Sequence, residues 1–291
     1  MIFSLLQRLF EWIIRIFRKP KTESMKLQLY KNIDCVQIDV KAGVSEYFLP
    51  QNVDWEDKKV DKLVVYGSAP ESGELSPIDG VKNVYDTEQI QSIYFDLYNQ
   101  DGETIAHSLS AVNILHTNNN PLGLDSKLSL QLSRMCFSKT PDGDGCVLIY
   151  VFWNSIDVET DDLPNQNVTV SFDVPANTEV TLSKVIDTYI HSQSKSLKGI
   201  IVWGVYTEYS GLFITLRDYN YQTITKLLPA RMCRPPMCVG NSLDIGLAYQ
   251  AESAQVHSML FDCADVDFDN SVIYNSYDMG VDSNLTITFL Y

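Results

Sequence analysis

From Met25 onward, apolar and polar residues alternate along most of the chain. Leu27 and Leu29, then Val36, Ile38 and Val40, alternate with Gln28, Gln37, Asp39 and Lys41. A period of two is the spacing of a strand with one buried and one solvated face. Comparable runs recur at LVVY (63–66), IYFDLY (93–98), TIAHSL (104–109), LSLQL (128–132), VLIYVFW (147–153), VTVSFDV (168–174), IIVWGVY (200–206), LFITL (212–216) and LTITFLY (285–291). Turn formers separate them, among them Gln100-Asp101-Gly102, Asn118-Asn119-Asn120-Pro121, the PDGDG stretch at 141–145 and Arg234-Pro235-Pro236. Many short strands at this spacing predict an all-β fold of sandwiches or barrels rather than an α/β enzyme.

The opening segment, MIFSLLQRLFEWIIRIFRKPK, breaks this pattern. Plotted as a helix, it gathers Ser4, Gln7, Arg8, Glu11, Arg15 and Arg18 into one arc of roughly 100°. Phe3, Leu6, Leu9, Phe10, Trp12, Ile13, Ile16 and Phe17 fill the rest of the surface, and Pro20 ends the helix. The basic residues come late and no small-residue cleavage site follows, which argues against a secretory signal. Arg8, Glu11 and Arg15 sit mid-segment, which argues against a transmembrane span. An amphipathic helix lying at a membrane interface fits: the eight apolar side chains would enter the bilayer boundary, with Arg8, Arg15, Arg18 and Lys19 at the head groups. Their burial would supply on the order of 10 kcal/mol before ordering costs. The competing reading is a helix buried in an oligomer interface or bundle.

The strand region repeats itself. VQIDVKAGVSEYFLP (36–50) matches VSFDVPANTEVTLSK (170–184), and each leads to a strand ending in glycine, KLVVYG (62–67) and GIIVWG (199–204). FDLYNQDGETIAHSL (95–109) aligns without gaps on ITLRDYNYQTITKLL (214–228), and each half closes on an aromatic-rich strand, VLIYVFW and LTITFLY. Four landmarks in one order predict two homologous β-domains, 27–155 and 166–291, behind a helix and linker over 1–26 and joined by an acidic linker over 156–165. Each is the size of a jelly roll, two four-stranded sheets face to face. The Cys…Trp…Cys spacing of an immunoglobulin-like pair is absent.

Charge sharpens the division. The formal net charge is −15, yet residues 1–26 carry six basic residues against two acids, a surplus of four that leaves −19 on the remainder. Such a body does not bind nucleic acid through an overall basic surface; only the N-terminal segment suits anionic lipid head groups. Cysteines 35, 136, 146, 233, 238 and 263 are too sparse for a disulfide scaffold and read as reduced thiols. No histidine lies close to Cys233 and Cys238, so a structural zinc site has little support.

No catalytic constellation stands out. Histidines 107, 116, 191 and 257 form no zinc pattern and flank no nucleophile motif, and His107 reads as a sheet residue. Asp265, Asp267 and Asp269 would share one face if extended, and Asp142 and Asp144 flank glycines; both groups read as solvated loop acids rather than a calcium site. The sequon Asn167-Val168-Thr169 is discounted without a secretory signal. The expectation is a non-enzymatic protein without cofactor or metal.

A tandem jelly roll behind a membrane-seeking helix resembles the double-jelly-roll major capsid proteins of icosahedral viruses with an internal lipid membrane, closest in size to the compact version in small tailless bacteriophages. The resemblance rests on the helix at 1–19, the landmarks at 36–67 and 170–204, and the strands ending at 153 and 291. It implies a homotrimer with pseudo-hexagonal outline, contacts to neighbouring capsomers and to minor capsid or penton proteins, N-terminal helices directed at the membrane, and residence in the virion after assembly in the host cytoplasm. Minor capsid or spike proteins share some of these features. The alternatives are a membrane-tethered β-sandwich binding module, carbohydrate-binding or adhesin-like, and a peripheral lipid-modifying enzyme.

Overall fold

The computed structural model describes residues 26–51, 53–70, 72–116, 123–159, 167–186, 197–203, 211–233, 260–263, 266–276 and 283–290. The expected helix over 1–19 lies outside them. The described regular structure is β throughout, interrupted by 3-10 turns of three or four residues, and no described helix is long and apolar enough to cross a membrane.

Eight strands come from the first half: β1 (Lys26–Val40), β2 (Glu46–Phe48), β3 (Lys59–Tyr66), β4 (Ile93–Tyr98), β5 (Thr104–Ser110), β6 (Gly123–Lys127), β7 (Arg134–Phe137) and β8 (Gly145–Glu159). Eight more follow: β9 (Asn167–Val174), β10 (Glu179–Thr181), β11 (Leu197–Trp203), β12 (Leu212–Arg217), β13 (Thr223–Pro229), β14 (Leu260–Cys263), β15 (Val272–Asn275) and β16 (Ser283–Leu290). In the first half β1-β8-β3-β6 and β2-β7-β4-β5 are hydrogen-bonded neighbours. In the second, β9-β16-β11-β14 and β10-β15-β12-β13 are. The second list is the first with every strand advanced by eight, and each pair within these lists is antiparallel.

The correspondence extends to single residues. Val36 faces Ile149 as Val170 faces Ile287, and Val65 faces Ile149 as Val202 faces Ile287. Phe95 faces Leu109 and Leu97 faces Ala106, as Ile214 faces Leu228 and Leu216 faces Thr225. Left-handed backbone recurs at matched places too. Gly43, Gly102 and Ser108 have φ of 81°, 80° and 52°, where Asn177, Tyr221 and Leu227 have 53°, 61° and 49°. Glycine and asparagine tolerate this region at little cost. Tyr221 and Leu227 hold it because the hairpin and the irregular β12–β13 ladder impose it.

Two apolar clusters fill the molecule. One, from Val36 to Trp153, lies within the first half and includes Val36, Phe95, Met135, Ile149 and Val151. The other joins residues of both halves, with Cys35, Tyr66, Leu148, Tyr150 and Phe152 packed among Phe213, Ile214, Val202 and Ile287. Successive residues of β8 therefore enter different clusters, and Cys146 through Trp153 are all buried, as expected of an apolar run covered on both faces. The free edge of β1 runs parallel to both β13 and β14, at Ile33↔Thr225 and Tyr30↔Phe261. This links all the strands except those of the β2-β7-β4-β5 sheet into one twelve-stranded network.

Two sequence expectations shift. LSLQL is not a strand: β6 precedes it, and Leu132 and Ser133 turn back onto the Ser129 carbonyl at 3.3 and 2.9 Å. Leu128 makes a single bridge to Asn99, and Leu128 and Leu130 are buried in the first-half cluster, so their spacing reflects burial without a ladder. β8 also runs to Glu159, pairing with Lys26, so 156–159 of the acidic stretch is strand.

Phe213 is 1% exposed, with its ring 6.2 Å from that of Tyr66. Phe213→Ala is expected to cost about 3–5 kcal/mol, read as a lower midpoint in urea-induced unfolding.

Candidate functional site

The twelve residues assigned to membrane contact, Phe3, Leu6, Arg8, Leu9, Phe10, Trp12, Ile13, Arg15, Ile16, Phe17, Arg18 and Lys19, lie outside the described residues. The remaining chemistry-bearing groups are scattered. On β5, His107 is exposed, its Nδ1 2.8 Å from Asp96 Oδ1. His116 stacks 4.9 Å from Tyr66, and its Nδ1 accepts from the Gly67 amide at 3.3 Å. Histidines 191 and 257 lie outside the described residues. Among the described residues no group of three or more His, Cys, Asp or Glu could hold a metal ion.

The acidic stretch at 265–269 does not present one carboxylate face, because it turns. Asp267 is buried and accepts from the Asp269 amide at 3.0 Å and from Asn270 Nδ2 at 2.7 Å; Asp265 lies outside the described residues. Asp144 ties the PDGDG loop to the Ala42 amide at 2.8 Å, while Asp142 sits 3.2 Å from Lys139 on the surface. Cys35, Cys136, Cys146 and Cys233 are buried free thiols, and burial pushes Cys35, Cys146 and Cys233 up to about 12. Such thiols are inert as nucleophiles. Thr169 of the sequon bonds Thr288 at 2.8 Å across β9 and β16.

Several polar groups are buried or half-buried near the place where the halves join. Tyr150 Oη donates to the Leu227 carbonyl at 2.7 Å, Asn32 Nδ2 to the Thr223 carbonyl at 3.1 Å, and Tyr66 Oη to the Glu74 carboxylate at 2.9 Å. Burial raises Asp34 above the usual carboxylate range, partly offset by Lys226 on β13. Lys62 is 6% exposed, its Nζ 4.5 Å from the centroid of the Phe152 ring. Loss of hydration lowers its ammonium to about 8.

The outward faces of matched sheets differ sharply. On β10-β15-β12-β13, the outward positions hold Phe213, Thr215, Val272 and Tyr274, and Phe213 and Thr215 are buried. The matched positions on β2-β7-β4-β5 hold Tyr94, Asp96, Arg134 and Cys136. There Arg134 pairs with Glu46 and lies 5.9 Å over the Phe48 ring, which is itself 58% exposed. Nearby, a shallow cavity of about 340 Å³ is lined by Tyr85, Gln89, Phe137 and Lys139 among others. Its two rings meet edge to face at 6.1 Å and are buried, leaving no flat aromatic floor. A further exposed feature is the β12–β13 hairpin tip, where Tyr219 and Tyr221 are 65% and 69% exposed. Asp218 Oδ1 holds the tip by accepting from the Asn220 and Gln222 amides, each at 2.8 Å. None of these surfaces was marked in advance. The contrast between matched outward positions could have marked the first, since aligning the repeats sets Tyr94 against Phe213 and Asp96 against Thr215.

The chain matches no protein-family model and no curated protein sequence.

Lys62 supplies a pH test. Below about pH 8 both states carry the ammonium, and folding bears the full cost of burying it. Between about 8 and the ordinary 10.5 the unfolded chain keeps a proton that the folded chain has lost, so stability rises with pH. Lys62→Met is expected to be more stable at pH 7 by up to about 3 kcal/mol. The advantage should shrink toward pH 10.5, measured as the difference between the two proteins in urea titrations.

Proposed function

We propose that this chain is the major capsid protein of an icosahedral virion built around a lipid membrane. Its two halves act as tandem jelly rolls, and three chains form a pseudo-hexagonal tile. The observation that carries this reading is the pairing order, 1-8-3-6 and 2-7-4-5, made twice in one chain. Rolling up one long eight-stranded hairpin produces that order, with the first and last strands adjacent in one sheet and the second and seventh in the other. Two such units fused side by side supply six around a threefold axis, and six nearly equivalent units tile a shell with repeated use of the same contacts.

The role is structural rather than catalytic, with the virion as its location and assembly in the host cytoplasm. The N-terminal amphipathic helix, with Phe10, Trp12 and Ile13 on its apolar arc, faces the membrane. The acidic body faces away, and many weakly bound helices on one shell hold the membrane by avidity. Neighbouring capsomers and minor capsid or penton proteins are its protein partners, and the body makes no direct nucleic-acid contact.

Sedimentation of the full-length protein at micromolar concentration is expected to give three chains per particle; a stable monomer would overturn the tile. Deleting residues 1–24 should leave a folded β-protein that no longer floats with anionic liposomes, and Phe10→Glu with Ile13→Glu should mimic the deletion. Undiminished flotation of the truncated protein would assign the helix to packing against its neighbours.

One observation favours a second reading, a sugar- or peptide-binding β-module. Tyr221 keeps a left-handed backbone, where the matched residue of the first half is Gly102, yet it is 69% exposed. Strain retained at an exposed aromatic is a mark of a contact surface. Tyr221→Gly should raise stability by about 1 kcal/mol. On this second reading the same change would abolish glycan or peptide binding by a monomer; on the capsid reading full-length protein still assembles as trimers and shows no such ligand.

A further inference from the structure

The tip of the β12–β13 hairpin and the start of β1 lie at the same end of the molecule. β1 and β13 run parallel with Ile33 beside Thr225, and Asn32 Nδ2 reaches the Thr223 carbonyl at 3.1 Å. Thr225 follows Tyr221 by four residues and Ile33 follows Lys26 by seven. At about 3.3 Å per residue, the tip is therefore within roughly 10 Å of the level of Lys26 along the strand axis. The loop that carries Val81 is at the opposite end, where Lys82 pairs with Asp39 near the close of β1. Six residues, Pro20 to Met25, separate Lys26 from the helix expected over 1–19, and a connection of that length spans at most about 25 Å when fully extended. A helix lying on a bilayer therefore holds this end of the body, and the tip with it, next to the lipid.

The tip presents two rings on a fixed turn. Tyr219 and Tyr221 are both exposed. Beneath them the Tyr221 amide donates to the Asp218 carbonyl at 2.9 Å, and the Asp218 amide to the Gln222 carbonyl at 3.0 Å. The base of the hairpin is tied to the 266–271 stretch, the Asp267 amide donating to the Arg217 carbonyl at 2.8 Å and the Arg217 amide to Ser271 Oγ at 3.1 Å. Tyr221 sits at a φ of 61°, where the matched Gly102 sits at 80°. The matched tip of the first half, Gln100-Asp101-Gly102, carries no aromatic and folds onto the body, with Gln100 Nε2 donating to Asp57 Oδ1. A tyrosine ring, apolar in its body and polar at its hydroxyl, suits the boundary between acyl chains and water. Its two χ angles cost little entropy to fix. The one acid of the tip, Asp218, is engaged by the turn's own amides, so little negative charge is turned toward an anionic surface.

We propose that the β12–β13 tip is a second lipid contact: the rings of Tyr219 and Tyr221 enter the head-group layer of the same bilayer on which the N-terminal helix lies. This inference rests on the membrane reading above and adds a surface of the folded body to it. Two rings bury too little apolar area to hold the chain on lipid alone, so the tip reinforces the helix and does not replace it.

The test uses the full-length protein and anionic liposomes. Tyr219→Ser combined with Tyr221→Ser is expected to weaken binding on the order of tenfold in flotation, while Tyr219→Trp combined with Tyr221→Trp should bind at least as well as wild type. Both pairs of changes lie in an exposed turn, so urea unfolding should stay cooperative. A polarity-sensitive dye on Asn220→Cys reads the contact independently: liposomes should shift its emission to the blue and a lipid-borne quencher should dim it. The same dye on Val81→Cys, at the far end, should show neither change, with dye-treated wild type giving the background of the native thiols. Equal flotation of the serine variant, or an unquenched dye at position 220, would overturn the tip contact and leave the helix reading standing. Wild-type protein that fails to float would overturn both. A glycan or peptide bound by lipid-free protein and lost in the serine variant would overturn lipid as the occupant of the tip.

Discussion

The architecture depends on one constraint, that the sheet containing β1, β8 and β3 is buried on both faces. Val147, Ile149 and Val151 point into the core of the first half, while Leu148, Tyr150 and Phe152 point into the cluster shared with the second. A large apolar side chain is worth roughly 1.5–3 kcal/mol when buried, so this one strand commits both halves to each other. A polar group that enters such a layer must find a partner there. Tyr150 reaches the Leu227 carbonyl, Tyr66 reaches Glu74 and the Lys62 ammonium lies over the Phe152 ring, its basicity lowered by burial.

The two halves show how one topology tolerates different chemistry. Backbone demands are kept: positions needing a left-handed residue recur at 43 and 177, at 102 and 221, and at 108 and 227. Side chains diverge where surroundings diverge. The outward positions of β4 and β7 carry Tyr94, Asp96 and Arg134, which meet solvent and each other. Their counterparts on β12 and β15 carry Phe213, Thr215 and Val272, and Phe213 meets Tyr66 of the first half. The two sheets share a ladder and differ in the chemistry of one face.

The same comparison frames the surface. Among the described residues the ion pairs lie at the surface, such as Lys82 between Asp39 at 2.6 Å and Asp79 at 2.9 Å, which fastens the 76–82 loop to β1 and holds Asp39 below the ordinary carboxylate range. Pairs of this kind shape loops without forming a reactive centre.

Local periodicity determined much of this protein. Alternation at 36–41 and the continuous run at 147–153 specify strands because side chains on a pleated backbone point alternately to two sides. The four repeated landmarks place equivalent residues in equivalent registers, since a slip of one residue would turn every apolar side chain outward. Periodicity misled at LSLQL, where Leu128 makes a single bridge to Asn99 and the chain then turns at Ser129, burying Leu128 and Leu130 without a ladder. The opening segment's amphipathic arc is legible in the sequence alone; the described residues begin at Lys26. Only the tertiary structure decided that the outward face of β12 is covered by the first half, that β1 bridges β13 and β14, and that Lys62, ordinary in sequence, sits against Phe152 with a depressed pKa. Those outcomes arise from contacts between residues far apart in the chain, and no local pattern of hydrophobicity carries the distance between them.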